Sequence, residues 1–323
     1  MRAGDGSPAV APSQPVDVPW AVVARRALVA AYSVLLVRQT LLGGLPVDRW
    51  RLLAWILAAL AISCVGRPRR QVVRLVADWS PFVALLVAYS YSRGVADTLG
   101  MPIQSRSVLA VERALFLGEV PSVWLQELLL PRGTRTPVRW WEIGVTLVYL
   151  SHFVTPFVLA GVLWVRDRAA WVVYTSRFAI LSVAAVVTFA LVPTAPPWLA
   201  SEWGLTDDLV RPVGRGWERV SLKTAGTWLE VGRGWVNPVA AIPSLHTAFA
   251  LLVAVTLWPR AGHPVARAAL VAYPVAMGFV LVYGAEHYVV DVVLGGVYVA
   301  VAIVLQRWVT GWWRGRSRAG ATS

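Results

Sequence analysis

Two of the four histidines in this 323-residue chain stand where phosphoryl chemistry is possible. Asp291 follows His287 by four residues, so on a helix the two side chains lie on one face, one turn apart. A carboxylate in that position can accept the proton of one ring nitrogen and leave the other nitrogen as a nucleophile or base. The spacing alone allows two other interpretations: a hydrogen-bonded pair that only caps a helix, and a metal site completed by His246.

The segment from Ala241 to Thr247 predicts an anion site. Pro243 and Ser244 are residue types that commonly begin a helix, and the first turn of a helix presents free N–H groups and the positive end of its dipole. His246 belongs to that turn. A phosphate held there would meet one imidazole as nucleophile and the other as proton donor to the leaving oxygen.

Four further residues are candidates for substrate contact. Ser244 is either a phosphate contact or a plain helix cap, and Tyr288 is either a contact or an interfacial aromatic residue. His152 lies inside an apolar run with no carboxylate one turn away, which favours a hydrogen-bonded histidine of the bundle over a residue of the site. Arg177 either binds phosphate or extends to the membrane surface. No pattern calls for a metal ion or another cofactor, and the single cysteine, Cys64, excludes Cys-based metal sites.

The composition predicts the elements that must hold these residues. Hydrophobic residues make up 57% of the chain and charged residues 15%, and the mean hydropathy is +0.61. A typical soluble domain is about half apolar and about a quarter charged, so this chain is expected to face lipid. We predict an all-α, polytopic membrane helix bundle of about eight spans, from runs that are apolar throughout or bounded by charges that reach the interface. The runs cover 27–37, 52–65, 79–92, 143–165, 178–201, 236–259, 268–285 and 292–306.

The chain is expected to divide into a tail, two N-terminal helices and a catalytic core. Residues 1–19 are rich in proline and are predicted to be a disordered tail, and 20–76 are predicted to form two transmembrane helices. A six-helix core is expected over 77–309, with surface helices at 101–137 and an extracytoplasmic loop at 193–243. Residues 310–323 are expected to form a basic cytoplasmic tail.

The net charge of +13 comes almost entirely from arginine, since all but one of the 30 basic residues are Arg. These residues fall between long uncharged stretches and not along one polar face, which excludes nucleic acid as a partner. Arginines in short connections predict that the N-terminus is cytoplasmic and that His246 and His287 lie toward the extracytoplasmic face. The Arg-, Ala- and Val-rich usage is typical of a GC-rich bacterial genome, so the expected location is a bacterial cell membrane.

The two histidine segments carry a family resemblance. Pro243 to His246, followed about 40 residues later by His287 to Gly295, resembles the second and third signature motifs of the type 2 phosphatidic acid phosphatase (PAP2) superfamily. More narrowly, the pattern is similar to the branch that contains inositol phosphorylceramide synthase and sphingomyelin synthase. The resemblance implies that His287 attacks phosphorus to form a phosphohistidine, that Asp291 supports it and that His246 protonates the leaving group.

The chain departs from the phosphatase branch at the cations that clamp phosphate. The first motif of that branch has a Lys and an Arg-Pro six residues apart, and this chain has no such arrangement. That branch also has Ser-Arg shortly before the nucleophile, where this chain has Val280 and Leu281. Basic residues of the loop after residue 201 are candidates to replace the clamp: Arg211, Arg215, Arg219, Lys223 and Arg233.

These departures favour transfer over hydrolysis. The transferase branch is similar in lacking the clamp, and a phosphodiester monoanion needs less cationic stabilisation than a monoester dianion. We therefore expect a lipid phosphotransferase that moves a phosphoinositol-like headgroup, with membrane lipids as donor and acceptor. The alternative is a phosphatase acting on polyprenyl or diacylglycerol phosphate. From other classes, His246 and His287 could be axial ligands of a haem, or the chain could be a transporter.

Overall fold

A computed structural model describes residues 19–43, 49–130, 137–219 and 237–319 of the chain. Within these ranges the backbone is mostly helical and contains no strand, only two isolated bridges between loop residues. The expected fold class is confirmed: the chain is an all-α polytopic membrane bundle. The expected tail, residues 1–19, lies outside the described residues except for its last one.

Twelve α-helices are described in these ranges and are numbered here in chain order. They are α1 (Pro19–Gly43), α2 (Arg49–Cys64), α3 (Arg69–Leu99), α4 (Arg106–Leu115), α5 (Pro121–Leu129), α6 (Trp141–Arg166), α7 (Arg168–Leu191), α8 (Pro197–Glu202), α9 (Gly216–Arg219), α10 (Leu245–Leu257), α11 (Pro264–Tyr283) and α12 (Val289–Ala319). Short 3₁₀ turns lie at Pro212–Gly214 and Trp258–Arg260. Each of the eight apolar runs contributes to one of the longer helices.

Five of the described helices are long and apolar enough to cross a membrane: α1, α6, α7, α11 and α12. Helices α2 and α10 are apolar but shorter. The domain boundaries expected after residues 76 and 309 both lie inside helices, since α3 begins at Arg69 and α12 continues to Ala319.

The expected start of one span was wrong. The run 178–201 begins after Arg177, yet α7 starts at Arg168 and holds Arg177 within its length. The helix ends at Leu191 because Pro193 and Pro196 follow, and proline cannot continue a helix. Helix α10 begins directly after Pro243 and Ser244, the residues expected to begin it.

Helix α7 is the centre of the bundle and contacts α3, α6, α10 and α12. Its buried Phe178 stacks on Phe249 of α10 with ring centroids 4.4 Å apart, and it also contacts Phe82 of α3. Such an aromatic pair contributes about 0.5–1.5 kcal/mol beyond the burial of its area. This packing fixes α10 against the rest of the core.

The two ends of the bundle differ in their charged groups. We call the end where α10 and α12 begin the histidine end, and the end where α6 meets α7 the opposite end. At the opposite end Arg168 makes a bidentate ion pair with Asp78, and Arg260 pairs with Asp167. The Asp167 side chain also caps α7 by accepting the N–H of Ala170. These pairs hold α3, α7 and the end of α10 together.

Candidate active site

Helix α10 begins deep inside the bundle. It has only 13 residues, and its second residue, His246, stacks on His152 of α6. His152 follows Trp141, the first residue of α6, by eleven positions, which is about 16 Å along a helix axis. The start of α10 therefore lies near the middle of α6 and not at its end.

The turn before α10 is held by loop segments from three parts of the chain. Thr194, after α7, forms bridges with Gln104 on one side and Ala240 on the other. The N–H of Ala241 donates to the carbonyl of Thr194, at 3.2 Å. These contacts fix the segment that leads into Ser244, which is fully buried and caps α10 by accepting the N–H of Thr247, at 3.4 Å.

The starts of α10 and α12 lie directly against each other. The N–H of Ser244 donates to the carbonyl of Asp291, at 3.1 Å. A Cβ atom on Gly295 would lie 2.6 Å from the carbonyl oxygen of Ser244, so only glycine allows the two backbones to approach this closely. Two helix N-termini therefore converge at this end of the bundle.

The structure brings His287 and Asp291 together. Nδ1 of His287 lies 3.3 Å from Oδ2 of Asp291, and the same oxygen accepts the backbone N–H of Tyr288 at 2.9 Å. Asp291 is fully buried and His287 is nearly so. When Nδ1 carries the proton that it donates to this carboxylate, Nε2 has a free lone pair.

Three histidines form one continuous group. The rings of His246 and His287 are 5.6 Å apart between centroids at an angle of 63°, and His152 stacks on His246 at 3.9 Å. Tyr149 also stacks on His246, at 5.2 Å. His152, which the sequence favours as a histidine of the bundle, is thus a direct neighbour of the reactive pair.

Several buried polar atoms of this group make no hydrogen bond within the described part of the chain. They are Nδ1 of His152, Nε2 of His246, Oδ1 of Asp291 and the hydroxyl of Tyr288. Buried polar atoms in proteins almost always have a partner, and exceptions concentrate at functional sites. This concentration marks the surroundings of His246 as the candidate active site.

Two of the sequence candidates lie away from the histidines or face another way. Arg177 donates from Nε to Gln306, which follows Asp291 by fifteen residues and so lies about 22 Å further along α12. Tyr288 is fully buried among apolar residues of α4 and α5, including Leu109 and Val123. Among the four minor candidates, Ser244 and His152 lie beside His246 or Asp291, whereas Tyr288 contacts Asp291 through its backbone N–H and turns its ring away.

The loop cations that are described form ion pairs. Arg211 makes a bidentate contact with Glu286, at 2.7 and 3.1 Å, and lies over the ring of Trp198. Arg215 pairs with Glu142 at 3.0 Å. The other three loop candidates, the side chain of Arg219 and residues Lys223 and Arg233, lie outside the described residues.

The sequence did not indicate Glu112, which reaches the site from α4. Its carboxylate accepts the N–H groups of Val289 and Val290 at the start of α12. Burial raises the pKa of Glu112, and the nearby charge of Asp291 acts in the same direction. A usable signal was its spacing, since Glu112 follows Val108 by four residues and shares the buried face of an amphipathic helix.

A comparison with protein families decides the identity of the fold. The sequence profile of the PAP2 superfamily matches residues 106–305. The chain belongs to the PAP2 superfamily. The match runs from the first residue of α4 into α12, so it contains the three histidines, Asp291 and Glu112 and leaves out α1, α2 and α3. No curated protein and no solved structure is significantly similar to the chain.

Membership assigns the type of chemistry. The PAP2 superfamily consists generally of enzymes that act as phosphatases or phosphotransferases on lipid phosphates. The matched region contains the starts of α10 and α12 and the histidine group, which are the candidate residues for this chemistry.

Proposed function

We propose that this PAP2 protein is a lipid phosphotransferase that moves a phosphate-bearing headgroup through a phosphohistidine on His287. The observation that carries the proposal is the pairing of Nδ1 of His287 with Asp291 while the ring of His246 stands 5.6 Å away. Nε2 of His287 is then free to act as the nucleophile. The ring of His246 lies close enough to donate a proton to the leaving oxygen on the same phosphorus. His246 belongs to the first turn of α10, and the positive end of that helix favours an anion.

In the first half-reaction, Nε2 of His287 attacks the phosphorus of the donor phosphodiester. The new P–N bond forms as the P–O bond to the lipid alcohol breaks, and His246, in its protonated form, gives its proton to the leaving oxygen. Asp291 stabilises the positive charge that develops on the His287 ring. The products are a diacylglycerol-like alcohol and the headgroup phosphate on His287.

In the second half-reaction, His246 accepts the proton of an acceptor hydroxyl. The acceptor oxygen attacks phosphorus and the P–N bond breaks, which returns His287 with its lone pair on Nε2. If water takes the place of the acceptor, a diester donor is hydrolysed to the free headgroup phosphate. With a monoester donor such as phosphatidic acid, the same steps release inorganic phosphate, which is the phosphatase reaction. The two functions therefore differ in the donor that is bound and in whether a lipid hydroxyl or water enters at this point.

The charges near the histidines favour a diester substrate. The described loop cations, Arg211 and Arg215, are engaged by Glu286 and Glu142. A monoester dianion requires more cationic stabilisation than a diester monoanion, because its transition state carries more negative charge. The likeness of the two motifs to the inositol phosphorylceramide and sphingomyelin synthases supports the same choice, with a phosphoinositol-like headgroup, lipid as donor and acceptor, and no metal or other cofactor.

Short-loop arginines support an extracytoplasmic site in a bacterial cell membrane. Arg67, Arg69, Arg70, Arg166, Arg168 and Arg260 all lie at the opposite end of the bundle or in the connections that reach it. By the positive-inside rule that end faces the cytoplasm, so the histidine end faces outward. Labelling of cysteines introduced singly at Arg260 and Gly204 with a membrane-impermeant maleimide tests this: only the second is expected to react in intact cells.

The decisive experiment separates transfer from hydrolysis. Purified full-length protein is incubated with ³²P-labelled phosphatidylinositol, phosphatidylcholine or phosphatidic acid, together with ceramide, or a diacylglycerol whose acyl chains differ from those of the donor, as acceptor. We expect a new labelled lipid and an acid-labile phosphoenzyme, both insensitive to EDTA. Labelled phosphate without a new lipid would establish the phosphatase instead. A Soret band in the purified protein, or transport with no trapped phosphoenzyme from any donor, would overturn the proposal altogether.

A further inference from the structure

Helix α4 places one carboxylate against the start of α12, the helix that carries Asp291 and directly follows His287. Glu112 is fully buried, and its two oxygens accept the N–H groups of Val289, at 2.9 Å, and Val290, at 3.2 Å. Val289 and Val290 are the first two residues of α12. Their N–H groups have no partner inside the helix, since the first four N–H groups of any α-helix lack one.

The interaction is favourable for two physical reasons. Hydrogen bonds from N–H groups to an ionised carboxylate are stronger than those between neutral groups. The negative charge also lies at the positive end of the α12 dipole. Glu112 is 177 residues from Val289 in sequence, so the bonds connect α4 directly to the start of α12.

Two carboxylates together determine the first turn of α12. Asp291 accepts the N–H of Tyr288, and Glu112 accepts the next two N–H groups. His287 immediately precedes these three residues. A rotation or shift of this turn would therefore move the His287 ring relative to Asp291 and His246.

The loop that contains His287 is held at its other side by α5. Nε2 of Gln126 donates to the carbonyl of Tyr283, the last residue of α11, at 2.8 Å, and to the carbonyl of Val210 at 2.9 Å. Helix α4 thus contacts the beginning of α12 and α5 contacts the end of α11, with residues 284–288 between them. The carboxylate of Glu112, an acceptor, thus meets the positive N-terminal end of α12. The amide of Gln126, a donor, meets the negative C-terminal end of α11.

We propose that Glu112 is a positioning residue for the nucleophile: it fixes the first turn of α12 through two hydrogen bonds and thereby sets the orientation of His287. The proposal rests on the proposed function only for its kinetic consequence, because the position of the turn is measurable without any substrate. Glu112 touches no reacting atom. It acts through the backbone that leads into His287.

Hydrogen–deuterium exchange of the full-length protein in nanodiscs tests the structural part. In Glu112→Gln the NH₂ group of the amide replaces one of the two accepting oxygens. At least one of the two hydrogen bonds to Val289 and Val290 is therefore lost. We expect faster exchange at about two amides, confined to a peptide covering 287–292. Gln126→Ala is the matched control, since it removes buried contacts between the side chain of α5 and the backbone. It should change exchange at Val210, whose N–H donates to the side-chain oxygen of Gln126, and leave exchange at 287–292 unchanged. Unchanged exchange at 287–292 in Glu112→Gln would overturn the proposal.

Kinetics with the lipid donor test the functional part. Glu112→Gln is expected to lower kcat by about 10- to 100-fold with little change in KM, because displacement of a reacting group by about 1 Å has effects of this size. Val123→Ala, a buried change on α5 outside the site, controls for general loss of packing and should keep kcat within about threefold at an equal or larger loss of Tm. Faster exchange with an unchanged kcat would refute positioning. If the wild-type protein forms no phosphoenzyme, the proposed function fails and the exchange result still decides whether Glu112 holds the turn.

Discussion

Both ends of the bundle contain ion pairs, but the histidine end also holds buried groups that are only partly paired. At the opposite end, the carboxylates of Asp78 and Asp167 are engaged by arginines that join neighbouring helices. At the histidine end, Glu286 and Glu142 are also engaged by arginines, whereas Asp291 and His246 each keep a buried polar atom with no partner among the described residues. We expect the ion pairs to stabilise the arrangement of helices and the partly paired groups to act on a substrate. Substitutions at the two ends should therefore differ in what they change.

The largest effect is expected from loss of the reactive pair. His287→Ala should abolish the phosphoenzyme, and Asp291→Asn should lower kcat by about 10⁴-fold, because the correct tautomer of the histidine depends on that carboxylate. The measurement is trapping of ³²P on the protein and initial rates of headgroup transfer. Full turnover by either variant would show that the site is assigned wrongly.

Loss of the proton donor should be smaller and should depend on the leaving group. His246→Ala is expected to lower kcat for a lipid donor by about 10²- to 10⁴-fold, the usual contribution of general acid–base catalysis. A p-nitrophenyl phosphodiester leaves without needing a proton, so the burst of p-nitrophenol from the first half-reaction should be much less affected. An equal loss with both donors would contradict the assigned role.

Neighbouring glycines of α12 provide a matched pair for the contact with α10. Gly295→Ala introduces a Cβ that overlaps the carbonyl oxygen of Ser244, and overpacking of this kind costs about 1–3 kcal/mol. Gly296→Ala meets only the flexible end of Leu251, at 3.8 Å, and should be neutral or slightly stabilising. Thermal unfolding in detergent compares the two. Equal Tm values would mean that the close approach of α10 and α12 is not required.

A modest effect is expected at the third histidine. His152→Phe keeps a ring that can stack on His246 and Phe249 but removes both nitrogens. If the imidazole contacts the phosphate or the acceptor, kcat/KM should fall by about tenfold, the equivalent of one hydrogen bond. Steady-state rates measure this, and an unchanged kcat/KM would identify His152 as a packing residue.

The smallest effect, and one on stability alone, is expected at the opposite end. The N–H of Ala170 and the guanidinium of Arg260 lower the pKa of Asp167. A carboxyl group whose pKa is lower in the folded state stabilises the protein above its unfolded pKa of about 3.9, and this contribution is lost as the pH falls through the folded value. Asp167→Asn should lower Tm slightly at pH 7, with the difference disappearing in acid, and should leave transfer activity intact. A loss of activity at pH 7 would show that the two ends are coupled.

Local patterns in the sequence predicted more than distant contacts did. Apolar runs located the spanning helices because lipid imposes a length on each of them. The four-residue spacing of His287 and Asp291 predicted that the two side chains meet, but His287 lies in the loop before α12 and not on the helix, so the turn that leads into α12 sets their contact. The run that began after Arg177 misplaced α7, since a charged residue inside a long helix interrupts such a run.

What the sequence did not predict depends on contacts between remote segments. Glu112 reaches α12 across 177 residues, and no periodicity within α4 says which helix its buried face will meet. The stacking of His152 on His246 depends equally on how far α10 penetrates the bundle, which is set by the packing of three helices. Patterns within one sequence predict the face of its own helix on which a side chain lies. They do not predict which other helix that face contacts.

Under the proposed mechanism, the late start of α10 bears on the competition between water and a lipid acceptor. Since His246 meets α6 about 16 Å along that helix from Trp141, a phosphorus attacked by His287 would lie between helices and not at the level of the helix ends. Few water molecules would have access there, whereas a hydroxyl carried on a lipid would arrive already oriented by its own acyl chains. The ratio of transfer to hydrolysis then depends on the local concentrations of lipid hydroxyl and water beside the phosphohistidine. Shortening α6 from its Trp141 end should admit more water and increase hydrolysis at the expense of transfer.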